Sequence, residues 1–107
     1  MEITKNIQNN IIEIMVEGRL DAYWSEHLSR ELSEILRTGA DKIYLNMSKI
    51  NYISSAGVRI LIQYSKKIKE LNGEFSITEP SEPVKSVLEM TGLDSIIFNP
   101  GNPEKKF

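Results

Sequence analysis

The stretch Ile50-Asn51-Tyr52-Ile53-Ser54-Ser55-Ala56-Gly57-Val58-Arg59-Ile60-Leu61-Ile62 decides the fold. Ile50 to Ile53 are mostly β-prone types, the two serines are turn and capping types, and from Gly57 onward apolar residues recur at helical spacing. The stretch therefore reads as a strand exit, a two-serine turn and a helix start. Ser55 is the expected cap of a helix that runs to about Leu71, where Asn72-Gly73 closes it. A helix start carries backbone N–H groups without partners and a positive dipole end, so the turn sets hydroxyls where an anion is tolerated.

Upstream, Lys42 to Met47 alternates Ile43, Leu45 and Met47 as a strand leading into this turn. Before it lies a helical pattern with the stripe Leu28, Leu32, Ile35 and Leu36, capped by either Asp21 or Ser25 and ended by Gly39. The N-terminus carries two isoleucine-rich runs, Ile3 to Ile7 and Ile11 to Glu17, around the turn pair Asn9-Asn10, which is a hairpin signature. In the second run Ile12, Ile14 and Val16 share one face, and Gly18 is expected to end it. Downstream, Phe75 and Ile77 mark a short strand. Ser81 then caps a helix with Pro83 in its first turn and Val84, Val87 and Leu88 as its stripe, closed by Thr91-Gly92-Leu93. Ile96 to Phe98 suit a last strand or turn, and residues 99–107 suit a frayed tail.

The order β-β-α-β-α-β-α predicts an α/β domain: a mixed sheet of four to five strands, a hairpin followed by parallel crossovers, with helices mainly on one face. The 107 residues make one domain with its core at about residues 3–98, large enough to fold without staples. Hydrophobic content of 40 % and charged content of 26 % fit a soluble globular protein, and no apolar run is long enough to span a membrane. No leader pattern opens the chain, so a cytoplasmic location is the expectation. Cysteine is absent and His27 is the single histidine, which removes thiolate and multi-histidine metal sites; no metal and no cofactor are expected. With 13 basic and 15 acidic residues and no basic block, neither nucleic acid nor membrane is the expected partner, and another protein is.

On a helical wheel of about 100° per residue, Gly57, Ile60, Leu61, Tyr64, Ile68 and Leu71 share the arc that packs on the sheet. Ser55, Val58, Arg59, Ile62, Lys66 and Lys69 fall on the opposite side. Val58 and Ile62, stacked at i, i+4 beside a hydroxyl, suggest a contact patch. A phosphate on Ser55 would cost the fold little and would disturb a partner docked there. An enzyme with Ser54 or Ser55 as nucleophile is disfavoured, because the turn lacks a G-x-S-x-G elbow and His27 sits on a different helix.

The run Tyr52 to Leu61 resembles the signature of STAS domains, in particular the bacterial anti-sigma factor antagonists. Gly18-Arg19-Leu20-Asp21, Leu45-Asn46-Met47-Ser48 and Val84 to Leu93 are similar to three further landmarks of that family, in the same order. The resemblance implies a protein that binds an anti-sigma factor, itself a serine kinase using ATP, while Ser55 is unmodified. Phosphorylation of Ser55 releases the partner, and a serine phosphatase resets the cycle. Asp21 is placed near the serine site by the same resemblance; with the contact patch on the helix, the expected partner surface is Asp21, Ser54, Ser55, Ala56, Gly57, Val58, Arg59 and Ile62. Many members carry Asp where this chain has Ile53, and Asp where it has Asn46. The alternative within the family is an unphosphorylated scaffold or accessory subunit, of the stressosome or lipid-transport type.

Overall fold

A computed structural model describes residues 2–8, 11–93 and 95. The elements are β1 (Glu2–Gln8), β2 (Ile11–Leu20), α1 (Ala22–Arg37), β3 (Lys42–Ile53), α2 (Ser55–Glu70), β4 (Glu74–Pro80) and α3 (Glu82–Met90). They follow the expected order. The strand or turn expected at Ile96 to Phe98 and the tail at 99–107 lie outside the described residues.

The sheet order is β1-β2-β3-β4. β1 and β2 pair antiparallel as the hairpin requires, and β2/β3 and β3/β4 are parallel, each joined through a helix. The sheet is thus mixed. Ile12, Ile14 and Val16 of β2, Ile43, Leu45 and Met47 of β3, and Phe75 and Ile77 of β4 are buried at alternate positions. They form one face, packed under Leu28, Leu32 and Ile35 of α1, Leu61, Tyr64 and Ile68 of α2, and Val84 and Leu88 of α3. Residues on the other face, such as Glu13, Tyr44 and Ser76, keep contact with solvent. The two long helices are also tied to each other, because the Tyr64 hydroxyl donates to the Ser29 carbonyl at 2.9 Å.

Two local expectations are corrected, and one open alternative is decided. Gly18 does not end β2: it adopts φ 115° and the strand continues to Leu20. Two register shifts, after Met15 and after Gly18, insert two extra residues on β3, since Met15 pairs with Asn46 and Leu20 with Ile53. Such bulges bend a strand without ending it, and a glycine absorbs the positive φ that a side chain would resist. The second correction concerns α2, whose Leu71 is 59 % exposed at the C-cap while Ile60 is only partly buried. The wheel fails at Leu71 because the helix ends at Glu70: Asn72 turns left-handed at φ 62°, and Gly73 N–H bonds the Ile68 carbonyl at 2.8 Å. The open alternative is the cap of α1: it is Asp21, whose carboxylate accepts from Trp24 N–H at 3.0 Å, whereas Ser25 lies inside the helix and is buried.

Because α1, α2 and α3 each follow one of the parallel strands β2, β3 and β4, their N-termini gather beyond the carboxyl ends of those strands. That end of the sheet is where open α/β sheets place their sites.

Candidate functional site

The serine turn sits at this end, held by backbone. Leu20 closes β2 and its carbonyl accepts from both Ser54 N–H and the Ser54 hydroxyl, each at 3.0 Å. The same Ser54 oxygen accepts from Gly57 N–H at 3.2 Å. Ser54, in extended conformation, is therefore the N-cap of α2, and Ser55 is its first helical residue. The expectation that Ser55 caps the helix is corrected by this one-residue shift. Ser55 is exposed and its hydroxyl makes no hydrogen bond among the described residues, while Ser54 joins two strand ends to a helix start.

Ile53 and Gly57 lie beneath the turn. A Cβ at Gly57 would stand 2.9 Å from Ile53 Cγ1 and 3.1 Å from Leu20 Cδ2, so the missing side chain lets α2 close onto the strand ends. A carboxylate at position 53 would be buried in this contact. The position where an acidic residue would serve as a cap is 54. Asn46 is 6 % exposed and uses both ends of its amide: Oδ1 accepts from Ser48 N–H and hydroxyl at 3.1 and 2.8 Å, and Nδ2 donates to Glu79 at 3.3 Å. An Asp there would face the Glu79 carboxylate without a proton to give, which accounts for the amide.

A groove of about 390 Å³ opens beside Ser55, between α2 and α3. Ile53, Ser54, Ser55, Val58, Arg59 and Ile62 form its floor and one wall, and Val87 of α3 with the C-cap residue Thr91 forms the other. Of the residues expected at a partner surface, five thus meet in one groove: Ser54, Ser55, Val58, Arg59 and Ile62. Asp21, Ala56 and Gly57 are not among its lining residues; Gly57 is buried, and Asp21 caps α1 one residue along from Leu20. Val58 and Ile62 are half-buried groove walls instead of fully exposed aliphatics. Ile53, Val87 and Thr91 had no signal as surface residues, since a strand end, a core stripe and a helix cap explain them locally.

Aromatic residues gather around the start of α1. Tyr23 is 67 % exposed and meets Trp24 edge-on, ring centroids 5.0 Å apart, and Trp24 meets His27 edge-on at 5.2 Å. The Arg19 guanidinium stands 4.2 Å over the Tyr52 ring. Among the described residues no group of three or more His, Cys, Asp or Glu side chains is placed to hold a metal ion. No helix there is long and apolar enough to cross a membrane.

Fold and site together define a class: a small mixed-sheet domain whose helix starts converge and that presents an exposed serine beside an apolar groove. The STAS domain model matches residues 2–106, and the chain belongs to this family. It is 26 % identical over 97 residues to the anti-sigma-B factor antagonist of Staphylococcus aureus, covering 91 % of this chain and 90 % of that protein. The anti-sigma factor antagonist SpoIIAA in its unphosphorylated form superposes with a TM-score of 0.82 at 20 % identity, covering 96 % of this chain and 91 % of SpoIIAA. The phosphorylated form of the Bacillus protein gives 0.77 at 19 % identity, covering 96 % and 95 %.

Proposed function

We propose that this chain is an anti-sigma factor antagonist that docks an anti-sigma factor over the groove beside Ser55, and so regulates how much sigma factor is available for transcription. The anti-sigma factor is a serine kinase in this scheme: it transfers phosphate from ATP to Ser55, the modified chain lets go, and a serine phosphatase restores it. The cycle runs in the cytoplasm. One observation carries the proposal: the two adjacent serines have separate jobs, with the Ser54 N–H and hydroxyl committed to three hydrogen bonds and Ser55 exposed on the groove's rim. A phosphate on Ser55 meets the positive end of α2, whose first turn holds no acidic residue, so the fold tolerates it. The same charge strips an apolar partner from Val58 and Ile62, because about two negative charges would have to be desolvated. The existence of SpoIIAA structures in both forms is consistent with a fold that survives modification.

Intact-mass spectrometry after incubation with ATP and the anti-sigma factor kinase tests the proposal. One phosphoryl group that maps to Ser55 and is absent from Ser55→Ala is expected. Modification of Ser54 instead, or unchanged modification of Ser55→Ala, would contradict it.

A further inference from the structure

The groove beside Ser55 is apolar but its surroundings are not neutral. The chain as a whole is acidic, at a formal charge of −2. Helix α2 reverses this locally, with Arg59, Lys66, Lys67 and Lys69 against the single acid Glu70. Among the described residues, Arg59 is the one charged residue lining the groove. It is exposed, and among the described residues its guanidinium has no carboxylate partner, unlike Arg30 and Arg37, which pair with Glu26 and Glu34. Lys66 and Lys69 follow Ile62 at i+4 and i+7, so they continue the groove-facing side of α2 toward its C-terminal end. Both are exposed.

We infer that the groove between α2 and α3 receives an acidic amphipathic helix of the anti-sigma factor, with apolar side chains on Val58, Ile62 and Val87 and a carboxylate on Arg59. The inference rests on the proposed docking of that partner and specifies its chemistry. A groove between two helices takes the apolar face of a third, and the flanking charges select the partner's sign. An unpaired arginine at the edge of an apolar wall is the side chain best built to hold a carboxylate there, through its fork of N–H donors. The placement also couples docking to modification. Ser55 and Arg59 are one helical turn apart on the same face, so a phosphate on Ser55 competes with the partner's carboxylate for the same guanidinium.

The test measures affinity for the purified cognate anti-sigma factor with six variants whose thermal melts are recorded alongside. Arg59→Glu is expected to weaken binding about tenfold or more, and Ile62→Asp by a comparable factor. A Lys66→Glu/Lys69→Glu pair is expected to slow association and flatten its dependence on salt, with melting unchanged. In the coupling arm, Ser55→Glu weakens binding by a larger factor in the parent chain than in an Arg59→Gln background, because the competition is gone. Arg59→Glu binding within twofold of the parent while Ile62→Asp fails would overturn the acidic-helix inference and leave the docking site standing. If both variants bind like the parent, or the parent does not bind, the docking proposal falls and the inference falls with it.

Discussion

Removing the two serine hydroxyls separately should have unequal consequences, and the difference is large enough to measure. The Ser54 hydroxyl accepts from Gly57 N–H and donates to the Leu20 carbonyl. Its loss in Ser54→Ala strips a helix of its N-cap, which costs about 1 kcal/mol, within a range of roughly 0.5–2. The Leu20 carbonyl is not orphaned, because Ser54 N–H still reaches it at 3.0 Å, so the second bond adds only a few tenths of a kcal/mol. A total of about 1.5 kcal/mol corresponds to a fall in melting temperature of roughly 6 °C for a domain of this size. Ser55→Ala removes an exposed hydroxyl from the first helical position, where alanine is a better helix former, and should change stability by no more than about 0.5 kcal/mol. Thermal melts and urea titrations of both variants decide the matter. Equal losses, or a larger loss in Ser55→Ala, would mean that Ser54 is not the cap and that Ser55 is not free for modification.

Other consequences are as direct. Leu61 is fully buried and Ile62 lines the groove, so Leu61→Asp should cost about 4–5 kcal/mol or more and unfold the domain, whereas Ile62→Asp should leave a cooperative melt; circular dichroism showing the reverse would reject the assigned helix faces. Ser25 is 1 % exposed and its hydroxyl has no hydrogen-bond partner among the described residues, so Ser25→Ala should raise stability by about 1 kcal/mol, and a clear loss in urea titration would show that the hydroxyl is satisfied. Burial, a hydrogen bond to Glu74 and that carboxylate's charge push the Tyr44 hydroxyl from 10.0 up to about 12. The folded state holds this proton more tightly than the unfolded chain, so the contribution is complete below about pH 10 and is lost as pH rises toward 12. Urea midpoints at pH 9 and 11.5 should therefore diverge less in Tyr44→Phe than in the parent.

Much of the architecture is legible in local chemistry. The Asn9-Asn10 turn between isoleucine runs announces the hairpin, and the apolar periods of α1 and α3 place Leu28, Leu32, Val84 and Leu88 in the core where they are found. Thr91-Gly92-Leu93 closes α3 as its composition suggests, with Gly92 at φ 75° and Leu93 N–H on the Leu88 carbonyl at 2.8 Å. The failures have physical causes. Gly18 carries the same signal whether it ends a strand or lies within one beside a bulge of its neighbour, and only the pairing with β3 tells them apart. Two adjacent serines are equally good caps in isolation, and the Leu20 carbonyl, 34 residues from Ser54, selects the first. The groove is invisible for a related reason. Its second wall, Val87 and Thr91, comes from a helix that meets α2 only after the chain has folded.

The central claim, that Ser55 switches partner binding without supporting the fold, is tested most directly by isothermal titration of the cognate anti-sigma factor with three forms of the chain: unmodified, Ser55→Ala and phosphorylated at Ser55. Binding that is unchanged in Ser55→Ala and lost or weakened at least tenfold in the phosphorylated chain is predicted. Equal affinity for all three would contradict it.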